Sequence, residues 1–315
     1  MIRDKINSPL NLSLLFMLSF LPSPIKGSIS LLLYTVNTLL WVLPILLFSL
    51  LKVMLPFNGW RKICSYLLDM MASNWISVNS LIQGLTHSTK LTVIGDTDLS
   101  RKNWYLVVAN HQSWVDILVI QRVMNGKIPF LKFFLKSELI WVPILGIAWW
   151  ALDFPFMKRF SQSYLKKNPH MKGKDIEATR KACEKFKYKP VSVMNFVEGT
   201  RFTPVKHDKQ GSPYDNLLRP RAGGIAFALH AMGNYLTHIV NVSIYYPEGR
   251  PTFWQFICGE VQEVIVQIDV EAVSEKHVGD YFHDKSFKRD FQVWLNDMWL
   301  TKDKTLSELE KQYKR

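Results

Sequence analysis

A histidine and an aspartate stand five residues apart, just after a short apolar run. The run covers residues 104–109, and His111 and Asp116 follow it. The run predicts a buried strand, and residues 114–123 predict a helix that begins after Ser113 as its N-cap. An aspartate in the first turn of that helix can reach a histidine in the preceding loop. Its carboxylate would set the tautomer of the imidazole and leave the second ring nitrogen as a general base.

The protein nucleophile that such a pair often serves is missing from the sequence. No Gly-x-Ser-x-Gly segment is present, which would indicate a serine on a strand-to-helix elbow. The base would therefore act on a hydroxyl group of the substrate itself. The alternative is that His111 is only a capping or core histidine, because a single His–Asp pair is weak support for catalysis.

A second polar cluster follows another predicted strand, residues 191–196. The cluster consists of Glu198, Gly199, Thr200 and Arg201. Ligand sites of open α/β sheets lie beyond the carboxyl ends of the strands, so the two clusters meet if their strands are parallel. Gly199 would allow the backbone to approach a ligand, and Arg201 offers a planar fork for a phosphate. The alternative is a turn held by a Glu–Arg pair.

Strands and helices alternate through the rest of the chain and predict an α/β domain. The further predicted strands cover residues 91–94, 128–134 and 238–245, with an antiparallel pair at 253–258 and 261–268. The further predicted helices cover residues 60–86, 175–187 and 222–232, with a last amphipathic helix marked by Phe287, Phe291, Trp294, Met298 and Trp299. The helix at 60–86 fits two positions equally, on a membrane surface or over the domain core.

The two clusters together resemble the glycerophospholipid acyltransferases, the family that includes 1-acylglycerol-3-phosphate acyltransferase. His111 and Asp116 match its His-x4-Asp box, and residues 198–201 match its Glu-Gly-Thr-Arg box in order and separation. The resemblance extends over about residues 60–300, including the stretch 136–146. Residues 153–159 are similar to a bacterial branch of inner-membrane acyltransferases. The resemblance implies a mixed sheet flanked by helices.

The resemblance also implies a role for each residue of the site. His111 would be the general base, oriented by Asp116, and the acceptor hydroxyl would attack the thioester carbonyl of the donor directly. Glu198, Gly199, Thr200 and Arg201 would form the acceptor site, with Arg201 on the phosphate. Two further candidates for substrate binding are Lys136 and Arg159. Arg159 matches the family's second box loosely, since Gly146 lies thirteen residues before it.

The reaction implied is transfer of a fatty acyl group to lysophosphatidic acid, which makes phosphatidic acid. Acyl-coenzyme A or acyl carrier protein would supply the acyl group as a co-substrate, and no metal or other cofactor is expected. Three alternatives remain open: another lysophospholipid as the acceptor, hydrolysis of the thioester, or a lipid-binding relative without catalysis.

The amino-terminal region predicts a membrane anchor. Residues 27–51 hold no charged side chain, and a bilayer core takes roughly 20 residues of helix. We expect a membrane helix at about 28–51 within a segment 1–59, then a catalytic domain at 60–302 and a polar tail at 303–315. The rival interpretation is a cleaved signal peptide, although no small-x-small cleavage site follows Leu21.

The composition favours a membrane as the partner. The net charge of +13 points to anionic partners, and the 11 Trp and 19 Phe residues suit a lipid interface. The sequence contains no zinc-finger pattern and no glycine-rich phosphate loop, so a nucleic-acid partner is not expected. The expected location is the bacterial inner membrane, with the active site on the cytosolic side where the donors are. The basic stretch 158–174 could contact coenzyme A, an acidic carrier protein or anionic lipid.

Overall fold

Two long helices precede the sheet in the computed structural model of the chain. The structure describes residues 20–55, 57–143, 145–157, 189–233 and 235–314, together with Leu18, Cys183 and Phe186. Helix α1 is Ser23–Met54 and helix α2 is Asn58–Thr86, and the two pack along each other. Inside their contact, Nδ2 of Asn37 donates to Oδ1 of Asn79 over 2.9 Å.

Helix α1 contains the segment predicted to enter the membrane. Among the described residues it is the one helix that is long and apolar enough to cross a bilayer. Helix α2 packs on the core, in agreement with one of its two predicted positions. Its buried residues include Leu68, Ala72 and Ile76, and they pack in one cluster with Phe130 and Leu152. Its residues Ile63, Tyr66 and Met70 are exposed.

The chain after α2 is built on a six-stranded mixed sheet. Its strands are β1 (Lys90–Gly95), β2 (Tyr105–Ala109), β3 (Leu131–Phe133), β6 (Ser192–Phe196), β7 (His238–Tyr245) and β8 (Glu263–Ala272). The order across the sheet is β1-β8-β7-β2-β6-β3. Strands β7, β2, β6 and β3 run parallel to one another, while β8 is antiparallel to β7 and parallel to β1. A separate parallel pair is formed by β4 (Leu135–Lys136) and β5 (Phe156–Met157).

Helices cover both faces of the sheet. Helices α3 (Val115–Met124), α4 (Leu145–Ala151), α5 (Pro204–Gln210), α6 (Ala222–Met232), α7 (Phe253–Ile257) and α8 (Lys285–Tyr313) follow in chain order, with short 3₁₀ turns at Ser137–Trp141 and Glu275–His277. Strand β2 is buried along its whole length, because Val107 packs on α3 while its neighbours Leu106 and Val108 pack with α6 and α8. This layering explains the continuous apolar run in the sequence.

Most predicted elements are confirmed, including the parallel pairing of β2 with β6 on which the convergence of the two polar clusters depends. The predicted strand at 128–134 is shorter, since only Leu131–Phe133 joins the main sheet. The helix predicted at 175–187 lies outside the described residues, apart from Cys183 and Phe186.

The predicted antiparallel pair of 253–258 with 261–268 is wrong. Phe253–Ile257 is helix α7, and β8 pairs with β7 and β1 instead. The side chains of Thr252 and Gln255 form a capping box that satisfies the first backbone N–H groups of a helix. The aromatic residues of this segment resemble a strand, but Phe256 and Ile257 are buried while Phe253 is exposed, which is the one-sided burial of a short helix.

The polar tail predicted at 303–315 is helical almost to its end. Helix α8 continues to Tyr313, and Leu306 and Leu309 are buried on it. The side chains of Lys302 and Asp303 are also buried. The polar composition of this segment did not predict a helix. A few buried residues pack the helix against the rest of the chain.

Candidate active site

The candidate site lies where β2, β6 and β7 end on the same edge of the sheet. Asn110 follows β2, and its side chain bonds the backbone of Ile244 on β7 twice, from Nδ2 to the carbonyl oxygen and from the Ile244 N–H to Oδ1, each over 2.9 Å. This amide extends the pairing of the two strands by one residue. The loop that carries His111 therefore begins from a rigid point.

His111 and Asp116 are in direct contact. Nδ1 of His111 lies 2.8 Å from Oδ2 of Asp116. The same carboxylate oxygen accepts from the backbone N–H of Gln112 at 2.6 Å and of Ser113 at 2.9 Å, because the carboxylate turns back over the loop. Asp116 is fully buried, whereas 12% of the His111 side chain is exposed. With Nδ1–H directed at the carboxylate, Nε2 is the nitrogen left for chemistry.

The prediction of Ser113 as the N-cap is wrong, because the N-cap is Trp114 and no side chain caps the helix. Ser113 lies one residue before it. Its hydroxyl accepts from the backbone N–H of Val115 at 3.1 Å and donates to the carbonyl of Pro251 at 2.6 Å. Helix α3 starts at Val115, one residue later than expected, and Asp116 lies in its first turn.

Two aromatic residues complete the surroundings of the pair, and neither was predicted as part of the site. The ring of Phe196 stacks on the imidazole of His111 with the ring centroids 3.9 Å apart. The hydroxyl of Tyr246 donates to Oδ1 of Asp116 over 2.6 Å. Burial and the neighbouring carboxylate raise the pKa of Tyr246 well above its ordinary value, so it stays a donor. Phe196 ends a predicted strand and Tyr246 follows another. Their position at strand ends is the feature of the sequence that could have indicated them.

Glu198 lies behind residues 110–114, the loop that carries His111 and that we name the catalytic loop after the role predicted for this histidine. Its Oε1 accepts from the backbone N–H of His111 at 2.7 Å, and its Oε2 accepts from the N–H of Leu218 at 3.0 Å. The side chain is fully buried, and this burial raises its pKa to about 7 against the opposing effect of the two backbone hydrogen bonds. Glu198 therefore joins two loops, and its carboxylate does not face solvent.

The next three residues of the cluster form a tight turn. Gly199 has a φ of 67°, which favours glycine. The hydroxyl of Thr200 accepts from Nζ of Lys206 at 2.8 Å. The guanidinium of Arg201 lies over the ring of Trp114, 4.6 Å from its centroid, and both side chains are exposed. Arg201 thus extends from the turn toward the start of α3, beside the catalytic loop.

The sequence around this site matches a known family. A family model described as acyltransferase covers residues 90–249, just over half of the chain. The chain belongs to the acyltransferase family. All the predicted site residues, from His111 to Arg201, fall within the matched range.

Two relatives of this acyltransferase share about a quarter of its residues over the aligned region. It is 28% identical over 233 residues to 1-acyl-sn-glycerol-3-phosphate acyltransferase 3 of Arabidopsis thaliana, covering 69% of this chain and 55% of that protein. It is 25% identical over 215 residues to 1-acyl-sn-glycerol-3-phosphate acyltransferase gamma of Mus musculus, covering 65% of this chain and 51% of that protein. The chain spans about half the length of these two relatives.

A solved structure shares the fold of this acyltransferase. The crystal structure of the 1-acyl-sn-glycerophosphate acyltransferase PlsC from Thermotoga maritima aligns with a TM-score of 0.50 and 16% identity, covering 90% of this chain and 98% of that one. The mixed sheet flanked by helices is therefore the fold expected from the sequence.

Lys136 and Arg159 are the two other residues predicted to bind substrate, and the structure describes only Lys136. Lys136, at the end of β4, is exposed and makes no described hydrogen bond or ion pair. It follows Phe133, whose ring centroid lies 6.4 Å from that of Phe196 in the site. Lys132 is buried and donates to the carbonyl of Leu152 at 2.6 Å, so its ammonium belongs to the core. Arg159 and the basic stretch 158–174 lie outside the described residues.

Proposed function

We propose that this acyltransferase moves a fatty acyl group from a thioester donor to the free hydroxyl of lysophosphatidic acid and so makes phosphatidic acid. The observation that carries the proposal is the bond from Nδ1 of His111 to buried Asp116, which leaves Nε2 free at the carboxyl edge of β2. The relatives named as 1-acyl-sn-glycerol-3-phosphate acyltransferases support the choice of acceptor.

The proposed step needs only one base. Nε2 of His111 takes the proton of the acceptor hydroxyl as the hydroxyl oxygen attacks the thioester carbonyl. The tetrahedral intermediate then collapses, the C–S bond breaks, and the imidazolium returns the proton to the departing thiolate. Asp116 balances the charge of the imidazolium, and two backbone N–H groups and the hydroxyl of Tyr246 hold its carboxylate in place.

The other site residues take different parts in this proposal. Arg201 and Lys136 bind the acceptor phosphate, because both cations are exposed and no described carboxylate neutralises them. Arg159 stays a predicted third contact. Glu198 is a positioning residue that holds the backbone of His111, since backbone donors occupy both of its oxygens. Gly199 and Thr200 shape the turn that brings Arg201 to the site.

We also propose that the protein is attached to a phospholipid membrane by the apolar face of α1. Residues such as Leu32, Leu40 and Leu43 expose more than 60% of their surface on this helix. Two arrangements are possible, a helix that crosses the bilayer and one that lies along its surface.

The contacts of α1 favour the helix that lies along the surface. Near its start, Gly27 packs on Cys258 and Trp254 beside α7, and near its end Lys52 forms an ion pair with Asp153 after α4. A helix of 32 residues is about 48 Å long, so a perpendicular helix could touch a domain outside the bilayer at only one end. In a bacterium this membrane would be the inner one, with the active site facing the cytosol that supplies the donors.

The reaction is tested with purified protein in phospholipid vesicles, given acyl-coenzyme A and lysophosphatidic acid. We expect phosphatidic acid from the wild type and a loss of about 10²- to 10⁴-fold in His111→Ala. The matched control is His283→Ala, because that histidine is exposed and pairs with Asp280 at the start of α8. Full activity in a folded His111→Ala protein would refute the mechanism. Release of free fatty acid without the acceptor would indicate a hydrolase, and activity on other lysophospholipids alone would change the acceptor.

The arrangement of α1 is tested by labelling. Single cysteines in place of Ser28 and Val53, both exposed near opposite ends of the helix, are treated with a membrane-impermeant maleimide in sealed vesicles. A helix along the surface lets both positions react from the same side. Reaction from opposite sides would establish a helix that crosses the bilayer.

A further inference from the structure

We infer that Arg250 binds a phosphate group of the thioester donor, as a second cationic contact beside the acceptor site. The inference rests on the proposed acyl transfer. It concerns a residue in the loop after β7, which contributes none of the residues predicted from the two sequence boxes.

Arg250 is attached to the catalytic loop on two sides. Its guanidinium lies over the ring of Phe202, 3.9 Å from the centroid, and the backbone N–H of Phe202 donates to the carbonyl of His111 over 2.7 Å. The residue after it, Pro251, accepts the hydrogen bond of Ser113 over 2.6 Å. His111 is therefore bonded to the residue whose ring carries the guanidinium, and Ser113 is bonded to the residue that follows Arg250. These two connections hold Arg250 one residue away from the catalytic loop.

The guanidinium of Arg250 has no anionic partner among the described residues. Partial burial lowers the pKa of Arg250, and the charge of the Glu198 carboxylate opposes this effect. Backbone N–H groups already occupy both oxygens of Glu198. The contrast is Arg219, whose Nε and Nη2 both donate to the carbonyl of Gly211 at 3.2 and 2.6 Å. Arg250 rests on an aromatic face, and its in-plane donors bond no residue in the part of the chain that the structure describes, which suits recognition of a phosphate.

The proposed reaction has two phosphate-bearing substrates, and this number indicates which phosphate Arg250 binds. Acyl transfer to lysophosphatidic acid brings two phosphate-bearing molecules to His111, since coenzyme A and the prosthetic group of a carrier protein also carry phosphate. Two arginines rest on separate rings beside the catalytic loop, Arg201 on Trp114 and Arg250 on Phe202. With Arg201 on the acceptor, we assign Arg250 to the donor, because its guanidinium lies on a ring whose residue is bonded to His111.

The kinetic test varies each substrate separately in Arg250→Gln, with Arg219→Gln as the matched control. We expect the KM for acyl-coenzyme A to rise about ten- to a hundred-fold, the loss typical of one charge-assisted hydrogen bond, while kcat and the KM for lysophosphatidic acid change less than about two-fold. Arg250→Lys should recover only part of the loss, because an ammonium lacks the planar fork. A rise in the KM for the acceptor instead would assign Arg250 to the acceptor phosphate and overturn the inference, as would unchanged values for both substrates.

A binding measurement separates this inference from the proposed function. Free coenzyme A is titrated into wild type, Arg250→Gln and Arg219→Gln in the absence of acceptor, with thermal unfolding as the check that all three are folded. Weaker binding in Arg250→Gln alone supports the donor contact even if lysophosphatidic acid proves to be the wrong acceptor. Equal binding in all three proteins, or none in the wild type, overturns the assignment of Arg250 to coenzyme A.

Discussion

The hydroxyl of Tyr246 donates to Oδ1 of Asp116 over 2.6 Å, on the oxygen that His111 does not use. Tyr246 is buried at the end of β7, so the bond joins that strand to the first turn of α3. The carboxylate of Asp116 is thereby held from both sides, by the imidazole through one oxygen and by the phenol through the other. The orientation of His111 depends on a residue that lies 130 positions beyond Asp116 in the chain.

We expect Tyr246→Phe to fold but to lose stability and activity. The change removes one hydrogen bond to a charged group, at a cost of about 1.5–3 kcal/mol. Without the phenol, the carboxylate of Asp116 is held only through Oδ2, by the imidazole and two backbone N–H groups, so His111 is oriented less firmly and kcat should fall more than KM rises. The measurement is kcat and KM beside urea unfolding. An unchanged kcat would contradict the role given to Tyr246.

Glu198→Gln should remove a pH dependence of stability. Burial raises the pKa of Glu198 from its ordinary 4.5 to about 7, so the folded protein binds this proton more tightly than the unfolded chain. The contribution is complete below pH 4.5 and is lost as the pH rises through about 7, at up to about 1.4 kcal/mol per pH unit. Urea unfolding between pH 5 and 8 should give a shallower decline in the variant. The exposed Glu308→Gln should keep the wild-type slope, and the same slope in Glu198→Gln would contradict the assignment.

Trp299→Phe on α8 should reduce both stability and activity. Nε1 of Trp299 donates to the carbonyl of Leu218 over 2.9 Å, and the N–H of Leu218 donates to Glu198, which holds His111. Removing the donor leaves a buried carbonyl unpaired, at a cost of about 1–3 kcal/mol. We expect kcat to fall more than KM rises. The control is Trp294→Phe on the same helix, because no described residue accepts a hydrogen bond from its ring; equal kcat values in the two variants would exclude a positioning role for Trp299.

Asp69→Asn should destabilise the contact between α2 and the sheet. Oδ1 of Asp69 lies 3.0 Å from Nζ of Lys132 and Oδ2 lies 2.5 Å from Nζ of Lys189, with all three side chains largely buried. Loss of the carboxylate leaves two buried ammonium groups without their counter-charge, at a cost of about 3–5 kcal/mol. The exposed pair of Arg289 and Asp290 is the control, since Asp290→Asn should change the unfolding free energy by less than about 1 kcal/mol. Similar costs for the two substitutions would show that the buried network contributes little.

The sequence by itself determined the elements whose patterns are local. The apolar run of β2, the strand β7 at its full length, and the helix α6 follow from periodicity, because burial on one or both faces leaves a direct imprint on the order of residues. The His–Asp pair was predicted for a similar reason. A five-residue spacing places a loop residue and a first-turn residue within reach of each other.

The local sequence pattern predicted the wrong secondary structure in two segments, where contacts with distant parts of the chain determine the conformation. The capping box of Thr252 and Gln255 turned an aromatic segment into helix α7, and a few buried residues held α8 to Tyr313 although its composition is polar. Propensity is a weak prior, and packing outweighs it in such segments.

Only the tertiary structure decided which side chains complete the site. Phe196 ends β6, and Tyr246 and Arg250 follow β7. Phe196 contacts His111, Tyr246 contacts Asp116, and Arg250 lies on Phe202, because β6 and β7 are the parallel neighbours of β2. The same arrangement placed Glu198 behind the catalytic loop, where its oxygens serve the backbone. The contacts of Phe196, Glu198 and Tyr246 with His111 and Asp116 join residues 85, 87 and 130 positions apart. Their partners depend on strand order, which no local spacing in the sequence encodes.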